Sequence, residues 1–246
     1  GYSGTYELAG VAISTAGIVD PEQGRILYAG AASFPGYTGT RLQELVEKSC
    51  GLPCTVENDV NCAGLGELWL GAGQQAKSMF CMTVGTGIGG CVILDGKVWH
   101  GAGYSAGEIG YMKVGGAGSL QDLASTRHML LEAAKSHRMS GQALDGKQVF
   151  AWARAGDADA VNAIGHMVST LAKGIANVCY VFNPELVVLG GGIMAQETYL
   201  KPRLLVELQE LMPASILEHT TLAFAKLQND AGMLGALYNF RQRHGR

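Results

Sequence analysis

Short apolar runs alternate with amphipathic stretches along this chain. Residues 8–13 and 186–189 are apolar throughout, and residues 79–84 are apolar except for Thr83, as is typical of buried strands. The longest amphipathic stretch predicts a helix with Asp157 as its N-terminal cap. Its apolar positions at helical spacing are Val161, Ile164, Val168, Leu171, Ile175 and Val178. Strands that alternate with helices predict an α/β fold.

Glycine-containing turns separate the predicted elements. Gly51 is placed to end a helix in the left-handed conformation. Asp95 and Gly96 predict a tight hairpin between two strands. Residues 71–75, rich in glycine and glutamine, are the predicted linker. A final helix is predicted from apolar residues at helical spacing, which are Met233, Leu234, Leu237 and Phe240.

The composition narrows the class of protein. The 246 residues carry 18 Lys and Arg against 21 Asp and Glu, a net charge of −3, with no basic block. This balance argues against a nucleic-acid partner, and the lack of a long apolar run argues against a membrane span. The six cysteines form no CxxC pair, and three of them (Cys81, Cys91 and Cys179) lie in apolar runs, so reduced, structural thiols are predicted. With no signal peptide, a cytoplasmic location is expected.

Two glycine clusters, at residues 85–90 and 190–192, directly follow apolar strands. Glycine at a strand end allows main-chain N–H groups to face a phosphate without a Cβ in the way. Neither cluster has the spacing of a P-loop or of a dinucleotide fingerprint. Phosphate-binding loops and tight turns with close strand packing are both open interpretations.

Two acidic residues are candidates for chemistry. Asp59 lies between a predicted strand and helix, where it is either a helix cap or a general base. Glu108 lies in a loop between Gly107 and Gly110, which indicates either a solvated charge or close contact with a ligand. The six histidines form no pair at metal-ligand spacing, so structural or surface roles are predicted for them.

Five segments, in order along nearly the whole chain, together resemble the ROK family of sugar kinases. The segments cover residues 57–73, 83–90, 106–110, 183–193 and 230–236. The resemblance implies an actin-like ATPase fold, related to ribonuclease H, in which ATP and a sugar bind in a cleft between two lobes. It divides the chain into residues 1–75, an incomplete N-terminal lobe with the helix at 232–246 packed back on it, and residues 76–231, the C-terminal lobe.

The resemblance also implies an activity and a set of site residues. The γ-phosphoryl group of ATP would pass to a sugar hydroxyl, normally O6 of a hexose, with Mg²⁺ accompanying ATP. Asp59 would be the general base, while Asn58 and Glu108 would hold sugar hydroxyls. The phosphates would lie in the loop of Gly85, Thr86 and Gly87, and the nucleoside would lie beside Gly191 and Gly192.

The chain departs from the family pattern in two regions. The first phosphate loop, an Asp-x-Gly-Gly-Thr hairpin, would precede Gly1, so impaired activity is expected of the chain as given. Tyr111 replaces the usual histidine, Gln121 replaces the usual glutamate, and residues 115–125 contain no cysteine. No structural zinc and no protein metal site are therefore expected. Tyr111 and Gln121 would then line the O1 and O2 side of the sugar, as in a zinc-free subset that includes β-glucoside kinases, and could admit a substituent at O1.

The alternative function is that of a sugar-responsive transcriptional repressor. The family includes such repressors, whose DNA-binding segment would lie upstream of residue 1. Asp59 and the acidic charge balance favour the kinase. The sequence leaves the sugar open among glucose, N-acetylmannosamine, fructose and β-glucosides, and the resemblance allows a homodimer.

Overall fold

The computed structural model describes residues 7–31, 34–139 and 144–245, and residues 1–6 of the predicted first lobe lie outside this part. The strands β1 to β9 are Val11–Thr15, Ile18–Asp20, Arg25–Tyr28, Cys54–Asn58, Ser78–Val84, Ile88–Leu94, Lys97–Val98, Leu186–Gly190 and Thr221–Phe224. The helices α1 to α9 are Leu42–Cys50, Asp59–Leu70, Leu120–Ala124, Thr126–Ser136, Gly146–Arg154, Ala158–Phe182, Glu197–Leu211, Ala214–Leu217 and Ala231–His244. Short 3₁₀ helices occupy Ile109–Tyr111, Gly192–Gln196 and Gln228–Asp230. The predicted α/β class is confirmed.

The largest sheet has the strand order β7-β6-β5-β8-β9. Its β5, β8 and β9 are parallel, while β6 and β7 run antiparallel to their neighbours. The predicted hairpin is confirmed, since Asp95 and Gly96 join β6 to β7 with φ of 49° and 77°. Positive φ at both central residues gives a turn whose twist matches that of the strands.

The N-terminal part contains a parallel pair, β1 with β4, and the antiparallel hairpin of β2 and β3. The first strand begins at Val11, not at residue 8 as predicted, because its ladder with β4 starts where Val11 faces Cys54. Leu8 lies outside that ladder and is exposed. Helix α1 ends as predicted, with Gly51 in the left-handed conformation.

Helix α6 packs in the main core, below the large sheet. Its predicted start is confirmed, since the Asp157 side chain accepts the N–H of Ala160. The helix ends at Asn183, which is in the left-handed conformation. One predicted core position is wrong. Val161 is exposed because Ala160 and Ala163 take the core-facing positions of the first turn.

Helix α9 contacts α2, β1 and β4. A Cβ on Gly235 would overlap the carbonyl oxygen of Cys62, so the backbones of α9 and α2 touch at this glycine. The predicted apolar face of α9 is therefore partly wrong. Met233 and Leu237 are exposed, since the helix approaches α2 through small residues.

The buried carboxylate of Glu67 fastens the end of α2 to the segment before α9. It accepts the N–H groups of Ala72, Lys226 and Leu227 at 2.7, 3.1 and 2.8 Å. Residues 71–75, the predicted linker, form turns, and the Gly73 N–H donates to the carbonyl oxygen of Glu67. The division of the chain at this point stays a prediction.

All six cysteines lie in the described residues as free thiols, and all but Cys50 are buried, as predicted. Burial raises the pKa of the Cys81 thiol to about 12. Within the described ranges, no helix is both long enough and apolar enough to cross a membrane.

Candidate active site

A cavity of about 710 Å³ brings together nearly all the residues that the sequence predicted for the site. Those that line it are Asn58, Asp59, Gly85, Thr86, Gly87, Glu108, Tyr111, Gln121 and Gly191. They come from chain segments more than 130 residues apart. The remaining predicted residue, Gly192, lines an adjoining cavity of about 1020 Å³.

Asn58, at the end of β4, is the N-cap of α2. Its Oδ1 accepts the N–H groups of Val60 and Asn61 at 2.8 and 3.1 Å, and its Nδ2 donates to the carbonyl oxygen of Gly17 at 2.9 Å. The cap interpretation of Asp59 is therefore wrong, because Asp59 is the first residue of the helix itself. Since the Asn58 oxygen is occupied, a ligand could be bound only through the second N–H of its amide.

The carboxylates of Asp59 and Glu108 face the same cavity. Desolvation raises the pKa of Asp59, and the N–H of Val60, which donates to its Oδ1 at 3.0 Å, opposes this rise. Desolvation also raises the pKa of Glu108, with a further rise from the negative charge of Asp59. Raised pKa values increase the affinity of both groups for a proton, a property that suits a general base.

The Glu108 loop rests directly on β6. Gly107 has a φ of +92°, and a Cβ there would overlap the carbonyl oxygen of Gly90. A Cβ on Gly90 would lie 2.6 Å from the carbonyl oxygen of Gly107. Glycine at both positions thus permits the backbone contact that holds Glu108 at the cavity.

The sequence left two roles open for the glycines at residues 85–90, a loop that faces a ligand and close packing of strands. Different glycines of the cluster fit each role. Only residues 85–87 form the turn between β5 and β6, where the Gly85 N–H donates to the carbonyl oxygen of Gly87. The remaining residues of the cluster belong to the sheet, because Ile88 begins β6 and Gly89 pairs with Thr83 of β5. The first glycines therefore make a turn at the cavity, and the later ones allow close packing.

Gln121 lies between this turn and the Glu108 loop. Its Oε1 is 3.0 Å from the position of a Cβ on Gly87 and 3.0 Å from that of a Cβ on Gly110. Tyr111 ends the 3₁₀ helix that follows Glu108. Desolvation, the Glu108 charge and the neighbouring Tyr28 raise the pKa of the Tyr111 hydroxyl.

Sequence reasoning missed a buried pair beneath Asp59. The Glu57 carboxylate accepts the Asn58 N–H and the Asn61 amide through Oε1, both at 2.9 Å. Its Oε2 lies 2.9 Å from Nε2 of His100, one of the histidines for which a structural or surface role was predicted. The sequence signal that could have revealed this pair is Glu57 itself, an acidic residue near the end of the strand β4. A charge that is buried in a strand needs a partner.

The larger cavity adjoins the first at Val84, Gly85 and Thr86, which line both. Arg127 and Lys147, also missed at the sequence level, bring positive charge to its wall. Gly191 has a φ of +100°, and a Cβ there would overlap the Val84 carbonyl oxygen. The positive φ and the close approach of the Val84 oxygen each require glycine directly after β8, as the glycine cluster at residues 190–192 suggested.

The described residues contain no group of three or more His, Cys, Asp and Glu side chains arranged to hold a metal ion. A metal that enters with a phosphate ligand needs few protein ligands, since Mg²⁺ keeps several waters and binds phosphate oxygens.

Comparison with known proteins gives consistent matches over the whole chain. The model of the ROK family matches residues 2–243. A β-glucoside kinase of Listeria monocytogenes is 34% identical, over 98% of this chain and 82% of its own length. A glucokinase of Halalkalibacterium halodurans is 34% identical, over 96% and 77%. A xylose repressor of Caldicellulosiruptor bescii is 27% identical, over 74% and 50%.

Solved structures of ROK family proteins also align with nearly the whole chain. A ROK family protein from Streptococcus pneumoniae in complex with sucrose aligns with a TM-score of 0.84 and 30% identity, covering 98% of this chain and 83% of that one. A ROK family glucokinase from Streptomyces griseus, in complex with glucose and AMPPNP, aligns with a TM-score of 0.81 and 28% identity, covering 97% and 83%.

Proposed function

The chain belongs to the ROK family, and from this membership we propose that it transfers the γ-phosphoryl group of ATP to O6 of a hexose or hexose derivative. It has the actin-like ATPase fold of the ROK sugar kinases, and its relatives include carbohydrate kinases. One observation carries the proposal: two carboxylates face a cavity whose glycine turn is shared with a second, larger cavity.

We assign the sugar to the smaller cavity and ATP to the larger one. The two ligands would then meet at Gly85 and Thr86, the residues common to both walls. Arg127 and Lys147 would offset the negative charge of the phosphates. The complexes of the Streptomyces glucokinase with glucose and AMPPNP, and of the Streptococcus protein with sucrose, support sugar and nucleotide as the ligand classes.

Asp59 would accept the proton of the sugar hydroxyl as its oxygen attacks the γ-phosphorus. Its raised pKa favours this step, and the first turn of α2 holds it in place. Glu108 and the free N–H of Asn58 would hold other hydroxyls of the sugar. Mg²⁺ bound together with ATP would supply charge neutralisation at the phosphates, beside Arg127 and Lys147.

The predicted two lobes fit this arrangement. We propose that residues 1–75 and α9 form one lobe and that residues 76–231 form the other. The packing of α9 against β1 and β4 supports the return of the C-terminal helix to the first lobe.

Steady-state kinetics of Asp59→Asn in the full-length protein test the proposal. We expect kcat to fall about 10²- to 10⁴-fold, the range for loss of a general base, while KM for the sugar changes little. Asp95→Asn, in the exposed turn between β6 and β7, is the matched control and should keep wild-type kcat. Equal kcat in Asp59→Asn and wild type would refute the assignment.

The repressor alternative rests on the similarity to the xylose repressor. A repressor would bind an operator DNA and release it when sugar binds, without consuming ATP. Sugar-dependent ADP release distinguishes the two functions directly.

A further inference from the structure

The two cavities differ in which parts of the chain line them. Among the residues that the structure describes, those that line the larger cavity all lie between 84 and 196, within the proposed second lobe. The smaller cavity takes Asp59 from the proposed first lobe and Glu108 from the second. Its two carboxylates therefore come together only when the lobes meet in one orientation, whereas the larger cavity needs the second lobe alone.

Two crossing segments connect the proposed lobes. The first crossing, residues 71–77, leads from α2 to β5, and the second crossing, residues 225–230, leads from β9 to α9. Both make hydrogen bonds to the C-terminal part of α2, the helix whose first residue is Asp59. The orientation of α2 against the crossings therefore determines where Asp59 lies relative to the second lobe.

One buried carboxylate accepts main-chain donors from both crossings. It belongs to Glu67 of α2, which is 1% exposed. Its Oε2 accepts the N–H of Ala72 in the first crossing at 2.7 Å and the N–H of Lys226 in the second at 3.1 Å. Its Oε1 accepts the N–H of Leu227 at 2.8 Å. Because a carboxylate accepts stronger hydrogen bonds than a neutral group, these three bonds favour a single arrangement of the two crossings.

Glycines bring the neighbouring backbones close to this carboxylate. A Cβ on Gly71 would overlap Oε2 of Glu67. A Cβ on Gly66 would overlap the carbonyl oxygen of Ala231, where α9 begins. Such close packing leaves little space for local adjustment, so a change at Glu67 would displace the crossings themselves.

We propose that Glu67 is a positioning residue for phosphoryl transfer, which holds the two crossings in the arrangement that brings Asp59 and Glu108 to one sugar. This inference rests on the proposed function and deepens it. Glu67 lines neither cavity and lies roughly 12 Å from Asp59 along the axis of α2. It acts through the orientation of the helix, so its loss misplaces Asp59 and leaves the larger cavity intact.

Kinetics and ligand binding of Glu67→Gln in the full-length protein test this role. The amide offers one acceptor oxygen where the carboxylate offers two, and its NH₂ group then faces an N–H donor. We expect kcat/KM for glucose to fall about 10- to 100-fold, since a misplacement of about 1 Å at the reacting atoms costs up to that much. The Kd of AMPPNP, measured by calorimetry, should keep its wild-type value. A role in stability alone would lower Tm without separating sugar from nucleotide.

Two further variants separate this role from general damage. Glu47→Gln is the matched control, because Glu47 accepts the N–H of Cys54 at 3.0 Å within the first lobe. It should leave kcat, both KM values and the Kd of AMPPNP unchanged. Leu227→Pro removes one donor and keeps the carboxylate, and the φ of −85° at Leu227 is close to that of proline. It should change the glucose kinetics in the same direction as Glu67→Gln by a smaller factor, and it tests the role even if Glu67→Gln does not fold.

A distance measurement tests the same role without turnover. Spin labels on the exposed Cys50 of α1 and on Asn162→Cys, at an exposed position of α6, report the separation of the lobes in pulsed electron paramagnetic resonance. Glu67→Gln and Leu227→Pro should each shift or broaden the distribution of distances.

Three results would overturn the inference: an unchanged distribution, unchanged glucose kinetics in either variant, or a loss of AMPPNP affinity equal to the loss for glucose. A changed distribution in a protein that phosphorylates no sugar would support the effect of Glu67 on the lobes and refute the kinase function.

Discussion

Replacement of His100 by leucine tests the buried pair beneath the proposed base. The Glu57 side chain is 2% exposed, and His100 is 21% exposed. In His100→Leu, Oε2 of Glu57 would lose the partner that lies 2.9 Å away and would stay buried as a charged oxygen. The carboxylate also accepts the Asn58 N–H, next to Asp59, so its displacement would move the base.

The expected cost follows from the burial of the carboxylate. Leaving a buried polar atom without its hydrogen-bond partner costs about 1–3 kcal/mol, and more when the atom belongs to a carboxylate. Because His100 is one-fifth exposed and water can reach part of the site, we expect about 3 kcal/mol in the free energy of unfolding. In a Glu57→Gln background, His100→Leu should cost about 1 kcal/mol, since it then removes a hydrogen bond to a neutral amide.

Urea unfolding of the wild type, both single variants and the double variant measures this difference as a double-mutant cycle. The same proteins should show a lower kcat for His100→Leu with little change in KM for the sugar. His137→Leu, which breaks another His–carboxylate pair at 3.0 Å with Asp157, is the control and should leave kcat unchanged. A His100→Leu cost below about 1 kcal/mol, or equal costs in both backgrounds, would contradict the account.

Two further predictions follow from Asp59 and the glycines. Because desolvation raises the pKa of Asp59, its ionised form is less favourable in the folded than in the unfolded protein, a cost that grows as pH rises through the folded pKa. At pH values above this raised pKa, Asp59→Asn should therefore raise Tm, and it should lower the pKa of Glu108 in a carboxyl NMR titration. A lower Tm would contradict this sign. Gly191→Ala should lower Tm because of its φ of +100° and the overlap with the Val84 carbonyl oxygen. It should also raise KM for ATP, because Val84 and the adjacent Gly192 line the larger cavity. Gly165→Ala in α6, where the added Cβ meets open space, should be neutral or stabilising, and equal effects of both substitutions would refute the reasoning.

Local signals in the sequence were enough for most elements. The Asp157 cap, the Gly51 stop and the turn at Asp95 depend on a few neighbouring residues, and each lies where the pattern placed it. The helix α9 shows where such reasoning fails. Its contact surface depends on the partner backbone at Cys62, so Gly235 faces α2 and apolar Met233 does not.

In the candidate site, too, the sequence revealed what motifs carry and missed what depends on tertiary packing. Motif resemblance named residues such as Asp59 and Glu108, which the fold brings to one cavity. It could not reveal the pair of Glu57 and His100, which are 43 positions apart and meet only through tertiary packing. Tyr28 belongs to no motif, and only the fold brings it to the cavity.

The most direct test of the central claim is the identity of the product. The full-length protein would be incubated with ATP, Mg²⁺ and glucose, and the products followed by ³¹P and ¹³C NMR. The account predicts equal amounts of ADP and glucose 6-phosphate, with formation of both reduced at least about 100-fold in Asp59→Asn. No sugar phosphate, a phosphate on another hydroxyl, or undiminished product from Asp59→Asn would contradict it.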